Sequence, residues 1–244
     1  MSRREEETAR PRRAFLGACG RAAAGAALAC GLPAAFSWAL EGAPRAPLVD
    51  ASGAPLRPSA LKPHENWIFH YPYVSTPVLM VRLDEPTIPQ ALMYGKGAQP
   101  YYWPGGAGPG RDIVAYMAIC AHLLSYNSRQ ASYLSYHKVR NRLTRHGRAI
   151  TCCAHGSVYD PALGGQVLAG PARHPLAAVV LEHDEKADTL SATGILGTDL
   201  HKAFFRAHRR ELRKAYGRKG WRRMVAGPAV AMPLREWTRL VVRC

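Results

Sequence analysis

Two short cysteine–histidine clusters set the first limit on what this chain can become. Cys120-Ala121-His122 reads Cys-x-His. Cys152-Cys153-Ala154-His155 reads Cys-x-x-His and runs on into Gly156-Ser157-Val158-Tyr159-Asp160. Two short loops therefore offer two thiolates and two imidazoles to a metal centre. The order is informative, because zinc fingers tend to pair Cys with Cys and His with His, whereas each cluster here supplies one of each. A structural zinc site, or buried thiols and histidines without metal, stand as the alternatives.

On these residues the sequence resembles the Rieske iron–sulfur proteins, in which one iron of a [2Fe–2S] cluster takes two thiolates and the other two histidines. The resemblance implies that Cys120 and Cys152 hold the inner iron and His122 and His155 the outer one. Gly156-Ser157-Val158-Tyr159 is similar to the Gly-Ser-x-Tyr of the quinol-oxidising members. There the Ser157 and Tyr159 hydroxyls would donate to cluster and ligand sulfur, which stabilises the reduced state and raises the potential. Gly170-Pro171-Ala172 resembles the loop that covers the cluster from a third side, and Leu123 the leucine that shields it beside the first histidine.

Two features depart from the family. Its members usually carry a disulfide between the two cluster loops, but those positions are Ser125 and Ala154 here. That bridge cannot form, and Cys153 stands where the family has proline. The gap between His122 and Cys152 is also long, at 29 residues. The six cysteines do not suggest a disulfide framework, and no pair presents itself.

The net charge of +16 is unevenly placed. Residues 201–244 hold thirteen Lys or Arg against two Glu, and the insertion 123–151 holds six with no acid. Tyr126, Tyr133 and Tyr136 interleave with these cations. Such a pattern occurs in nucleic-acid binding, but an exported chain argues against that partner. The insertion is expected to be a surface excursion, or a dock for an acidic partner that also favours the reduced cluster. The basic C-terminal extension, 201–244, is expected to start as a helix and to meet anionic lipid or acidic subunits.

The N-terminus fits a membrane protein. Pro11-Arg12-Arg13-Ala14-Phe15-Leu16-Gly17 looks like a twin-arginine signal, which suits a protein exported already folded around its cofactor. Ala22 to Leu40 holds no charged residue and is about 28 Å long as a helix, so it is read as an uncleaved anchor. Residues 1–40 are thus signal and transmembrane helix, and 41–66, rich in Pro, Ala and Gly, a hinge or linker.

Strand signals begin at Trp67. Val78 to Leu83 and Asp112 to Ile119 read as strands, 94–110 as a Gly/Pro-rich loop, and Val179–Leu181 with Thr189–Ala192 as a closing hairpin. The expectation is a mainly β chain in which 67–200 form a Rieske-type antiparallel β domain with a cluster-binding subdomain.

The resemblance implies electron transfer from quinol to a c-type cytochrome, as the iron–sulfur subunit of a cytochrome bc type complex. Exposed His155 would contact the quinol and accept its proton. The implied partners are cytochrome b, membrane-anchored cytochrome c type subunits and quinol, in a dimeric complex. The implied location is a bacterial inner membrane, N-terminus cytoplasmic and cluster domain periplasmic. The alternative is a membrane-tethered Rieske carrier of another respiratory complex without its own quinol site.

Overall fold

The structure is a computed structural model that describes residues 42–244; the export signal and membrane anchor read over 1–40 lie outside the described residues. Among the described residues no helix is long and apolar enough to cross a membrane. In chain order the strands are β1 (Ala46–Val49), β2 (Asn66–His70), β3 (Pro77–Arg82), β4 (Ala91–Tyr94), β5 (Pro100–Trp103), β6 (Ile113–Met117) and β7 (Leu134–His137). They continue as β8 (Ala149–Cys152), β9 (Ser157–Asp160), β10 (Gln166–Ala169), β11 (Ala178–Asp184), β12 (Thr189–Leu196), β13 (Ala229–Val230) and β14 (Met232–Pro233). Three short helices, α1 (His201–Ala207), α2 (Arg209–Tyr216) and α3 (Leu234–Trp237), lie in the C-terminal quarter.

The large sheet has the order β13-β1-β12-β11-β6-β3-β2-β14, and β13 and β14 are consecutive in the chain. One segment therefore pairs with β1 at one edge and with β2 at the other, turning at Ala231, whose amide bonds to Val49 O. This nearly closes the sheet and leaves few free edges.

Both faces of the large sheet are buried, which explains its unbroken apolar strands. In β3, Val78 and Met80 join one core while Leu79 and Val81 join the other. In β6, Ile113, Ala115 and Met117 face the first core, and Val114 and Tyr116 the second. Ala118 and Cys120 keep this two-residue rhythm and also fall in the second core. There they meet the second sheet, of order β10-β9-β8-β7, which carries Ile150, Cys152 and Tyr159.

Several expectations change. Ala46–Val49, inside the stretch read as a linker, is a strand paired with β12 and β13. The Gly/Pro-rich loop at 94–110 contains half of the β4–β5 hairpin. The basic insertion contributes β7 to the second sheet, with Leu134 opposite Cys152. The C-terminal extension does start as helix, but it is built into the domain. Phe204, Phe205, Leu212 and Trp221 bury themselves in the first core, and Leu234 and Trp237 in the second. Cations spaced between these apolar positions give amphipathic segments whose charged side stays in water.

Candidate metal centre

Each ligand loop is a tight turn closed by its own backbone. In the first, the Cys120 amide donates to Ser125 O and the Leu124 amide to Cys120 O. In the second, the Gly156 amide donates to Cys152 O, 2.9 Å away. Gly156 takes φ +81°, which side chains disfavour. Cysteine is thereby fixed at the base of each loop and histidine toward its tip. Cys120 and Cys152 are fully buried, His122 is half-buried and His155 is exposed. The two imidazoles face each other edge to face with ring centroids 5.2 Å apart.

Asn127 holds the loops in register. Its amide nitrogen donates to Leu134 O and its carbonyl oxygen accepts from Leu134 N, both at 2.8 Å. Its own backbone amide bonds to Ala118 O. It therefore ties the strand leading into the first loop to β7, the neighbour of Cys152. The sequence reading passed over Asn127, and only its place just beyond the first loop hinted at it.

The sulfur end of the site favours negative charge. The Cys152 thiol pushes the Cys120 thiol beside it well below its ordinary value. The Tyr159 hydroxyl and the His122 amide add to this against the cost of burial. Cys152 moves up in turn, as donor to that thiolate and through burial. Tyr159 Oη lies 3.3 Å from Cys120 Sγ. Burial and the sulfur charge raise its pKa, so the phenol keeps its proton and is the donor.

Two buried polar atoms in the site are left without a hydrogen-bond partner, His122 Nδ1 and Ser157 Oγ. Such atoms are rare in folded proteins and ask for a partner, an ion or a water. A ligating nitrogen and a sulfide-directed hydroxyl would satisfy both. Among the described residues, the group of three ligand atoms within 4.8 Å of one another is His137, Cys153 and Cys244, which includes none of Cys120, His122, Cys152 and His155.

Two loops, cysteine at each base and histidine at each tip, stand on a small sheet that packs against a nearly closed, mostly antiparallel one. That arrangement is the one the sequence resemblance implies. No family model matches the sequence. Two solved structures are similar to the chain. One is the soluble domain of the Rieske protein II (soxF) from Sulfolobus acidocaldarius. Identity to it is 25%, over 64% of this chain and 80% of that one, with a TM-score of 0.44. The other is the ferredoxin of carbazole 1,9a-dioxygenase from Nocardioides aromaticivorans IC177, at 17% identity over 63% and 99%, with a TM-score of 0.33.

The remaining expected residues lie on or beside the two loops. Gly170 packs against the second loop so tightly that a Cβ there would overlap Gly156 O, and it takes φ +86°. Pro171 beside it is exposed. Leu123, expected as a shield, has 59% of its surface in water, and Leu168 has 55%.

The expectation that no cysteines pair is overturned. Cys153 and Cys244 form a disulfide across 91 residues, while Cys120 and Cys152 stay free. Local spacing gives no sign of a partner at the far end of the chain.

Proposed function

We propose that the chain is a one-electron carrier holding a Rieske-type [2Fe–2S] cluster. Cys120 and Cys152 would hold the inner iron and His122 and His155 the outer one. When bound, such a cluster accepts and returns one electron, and its imidazole ligands couple that electron to a proton. The buried thiol pair beneath paired, outward-facing imidazoles is the observation that carries the reading. Around it the protein supplies tuning and access. Tyr159 and Ser157 place hydroxyl donors at the sulfur end, where they favour the more negative, reduced state. His155 sits in water at the tip, where a donor or acceptor can reach it.

We place this carrier in a quinol-oxidising complex, passing electrons from quinol to a c-type cytochrome, in a dimeric assembly with cytochrome b. The support is the Ser157/Tyr159 pair and the exposure of His155, with Leu123 exposed beside His122. His155 would contact the quinol and take its proton. A bacterial inner-membrane site with the domain on the periplasmic side fits the disulfide, since such bonds persist in oxidising compartments. A second reading is a tethered carrier that serves an acidic redox partner without a quinol site. It is favoured by the recess among Arg206, Arg209, Arg210 and Arg213 on α1 and α2. Among the described residues none of these four pairs with a carboxylate.

Iron and sulfide analysis with electron paramagnetic resonance of the dithionite-reduced protein tests the centre. Two irons, two inorganic sulfides and a rhombic Rieske signal are expected. Tightly bound zinc with no signal would overturn it. Inhibitor-sensitive quinol oxidation by the native assembly separates the two readings. Electron transfer without it, weakening steeply with salt, selects the acidic partner.

A further inference from the structure

The segment after α3 runs beside the end of the first ligand loop. Thr238 Oγ1 donates to Ser128 O at 2.8 Å and the Arg239 amide to Arg129 O at 2.9 Å. The Ser132 amide donates to Leu240 O and the Val242 amide to Ser132 O. The Arg129 guanidinium lies over the Trp237 ring, 5.2 Å from its centroid. The last residue, Cys244, then bonds to Cys153, between the ligand positions Cys152 and His155.

The same C-terminal quarter also grips the first loop. His208, at the junction of α1 and α2, places Nε2 3.0 Å from Leu124 O. Its Nδ1 lies 3.0 Å from the Glu211 carboxylate, which accepts a further bond from the Tyr126 hydroxyl. Leu124 has φ +61°, a conformation that a branched side chain holds only when its surroundings fix it. His208 is one such fixture. The amide of that same Leu124 closes the loop on Cys120 O.

We propose that residues 201–244 are a two-point clamp that positions the ligand loops. His208 holds the first loop through Leu124, and the Cys153–Cys244 disulfide holds the second. Together they do the work of the direct bridge that Ser125 and Ala154 cannot make. His208 and Cys244 are then positioning residues that touch no metal. The inference rests on the reading of the two loops as one metal centre.

The test compares the full-length holoprotein with Cys153→Ala/Cys244→Ala and with His208→Ala, using three readouts. The first is amide hydrogen exchange at Cys153, Gly156 and Leu124. The second is the resonance line width of the reduced protein, and the third is the rate at which visible absorbance is lost on warming. In the double variant, exchange at Cys153 and Gly156 should quicken at least tenfold while β3 and β6 stay unchanged. The signal should broaden and bleaching should speed at least tenfold. His208→Ala should quicken Leu124 but not Gly156. If the double variant does not fold, Cys244→Ser alone, or wild type opened with a phosphine reductant, removes the same bond. Exchange and line width within twofold of wild type would overturn the clamp. Wild type without a Rieske signal, but with loop exchange that still responds, would sink the centre and leave the clamp standing.

Discussion

Cys152 and Cys153 are neighbours in sequence, yet they belong to different pairs with different chemistry. Cys152 ends β8 and points into the second core, where it meets Cys120 with its thiol free. Cys153 is half-buried on the other side and bonds to Cys244. The two-residue alternation of a strand makes the division, since successive side chains leave on opposite faces. The inner pair is surrounded by hydroxyl and amide donors that favour sulfur charge. Beside the outer pair lie the Thr151 hydroxyl, 3.8 Å from Cys153 Sγ and 3.4 Å from Cys244 Sγ, and His137. Residue type alone therefore does not assign a cysteine here; its parity along β8 does.

The sharpest way to break this comparison is to remove one member of each pair. Cys152→Ser should abolish the iron-dependent absorbance entirely, because it deletes a thiolate ligand. Cys153→Ser should retain iron at full stoichiometry. Equal loss from both would mean that the pairs are not functionally distinct. Next in size is the outer pair's share of stability. A bond closing a 91-residue loop restricts the unfolded chain, and losing such a bond typically costs about 2–5 kcal/mol. Chemical denaturation of metal-free Cys244→Ser should register about 3 kcal/mol of destabilisation, and a change under 0.5 kcal/mol, on the order of an ordinary surface substitution, would refute it.

A pH effect distinguishes the clamp from the inner pair in another way. His70 lies between Tyr216, whose hydroxyl is 3.1 Å from Nε2, and the Trp237 ring. Desolvation, with help from the Arg129 charge, lowers its pKa to about 4. Between pH 4 and the ordinary histidine value of about 6.5, the unfolded chain binds more protons than the folded one. The stabilisation is complete above that range and is lost as pH falls through it. His70→Phe should therefore remove about 2 kcal/mol of the fall in stability between pH 6.5 and 4, measured by denaturation of the metal-free chain. An unchanged pH slope would show that His70 takes its proton in the fold.

Much of this was legible in sequence where the signal is local. The two ligand clusters lie at loop turns, Val78–Leu83 and Asp112–Ile119 overlap β3 and β6, and the closing hairpin is β11–β12. What escaped depends on distant partners. Ala46–Val49 has too little pattern to stand out from its Pro- and Gly-rich flanks, and becomes a strand only because β12 and the 229–233 segment offer it edges. In the tail, the helical spacing of Phe205, Leu212 and Tyr216 was readable, but amid so many Lys and Arg nothing showed that Phe204, Phe205, Leu212 and Trp221 are built into the core. Cys244 reads as a terminal residue until Ser132, Leu240 and Val242 bring it alongside the second loop.

The smallest expected effect is the most specific to the inner pair. Tyr159 donates toward Cys120 Sγ, and the buried Ser157 hydroxyl has no partner among the described residues, so on the proposed reading each would stabilise the reduced state more than the oxidised one. A hydrogen bond to a charged acceptor contributes about 1.5–3 kcal/mol in full, and only the difference between the two redox states enters the potential. Taking that difference as about 1 kcal/mol, one-electron arithmetic gives a shift of roughly 40–50 mV. Tyr159→Phe and Ser157→Ala should each lower the midpoint potential by about that much, read by redox titration of the resonance signal. Neither should change the stability of the metal-free chain by more than about 1 kcal/mol, because both side chains lose a single donor and keep their volume or nearly so. Cys244→Ser should do the reverse, weakening the fold while leaving those two donors in place. A potential that ignores both hydroxyls would mean that the donors do not reach the redox centre, and the distinction between the inner and outer sulfur pairs would then rest on burial alone.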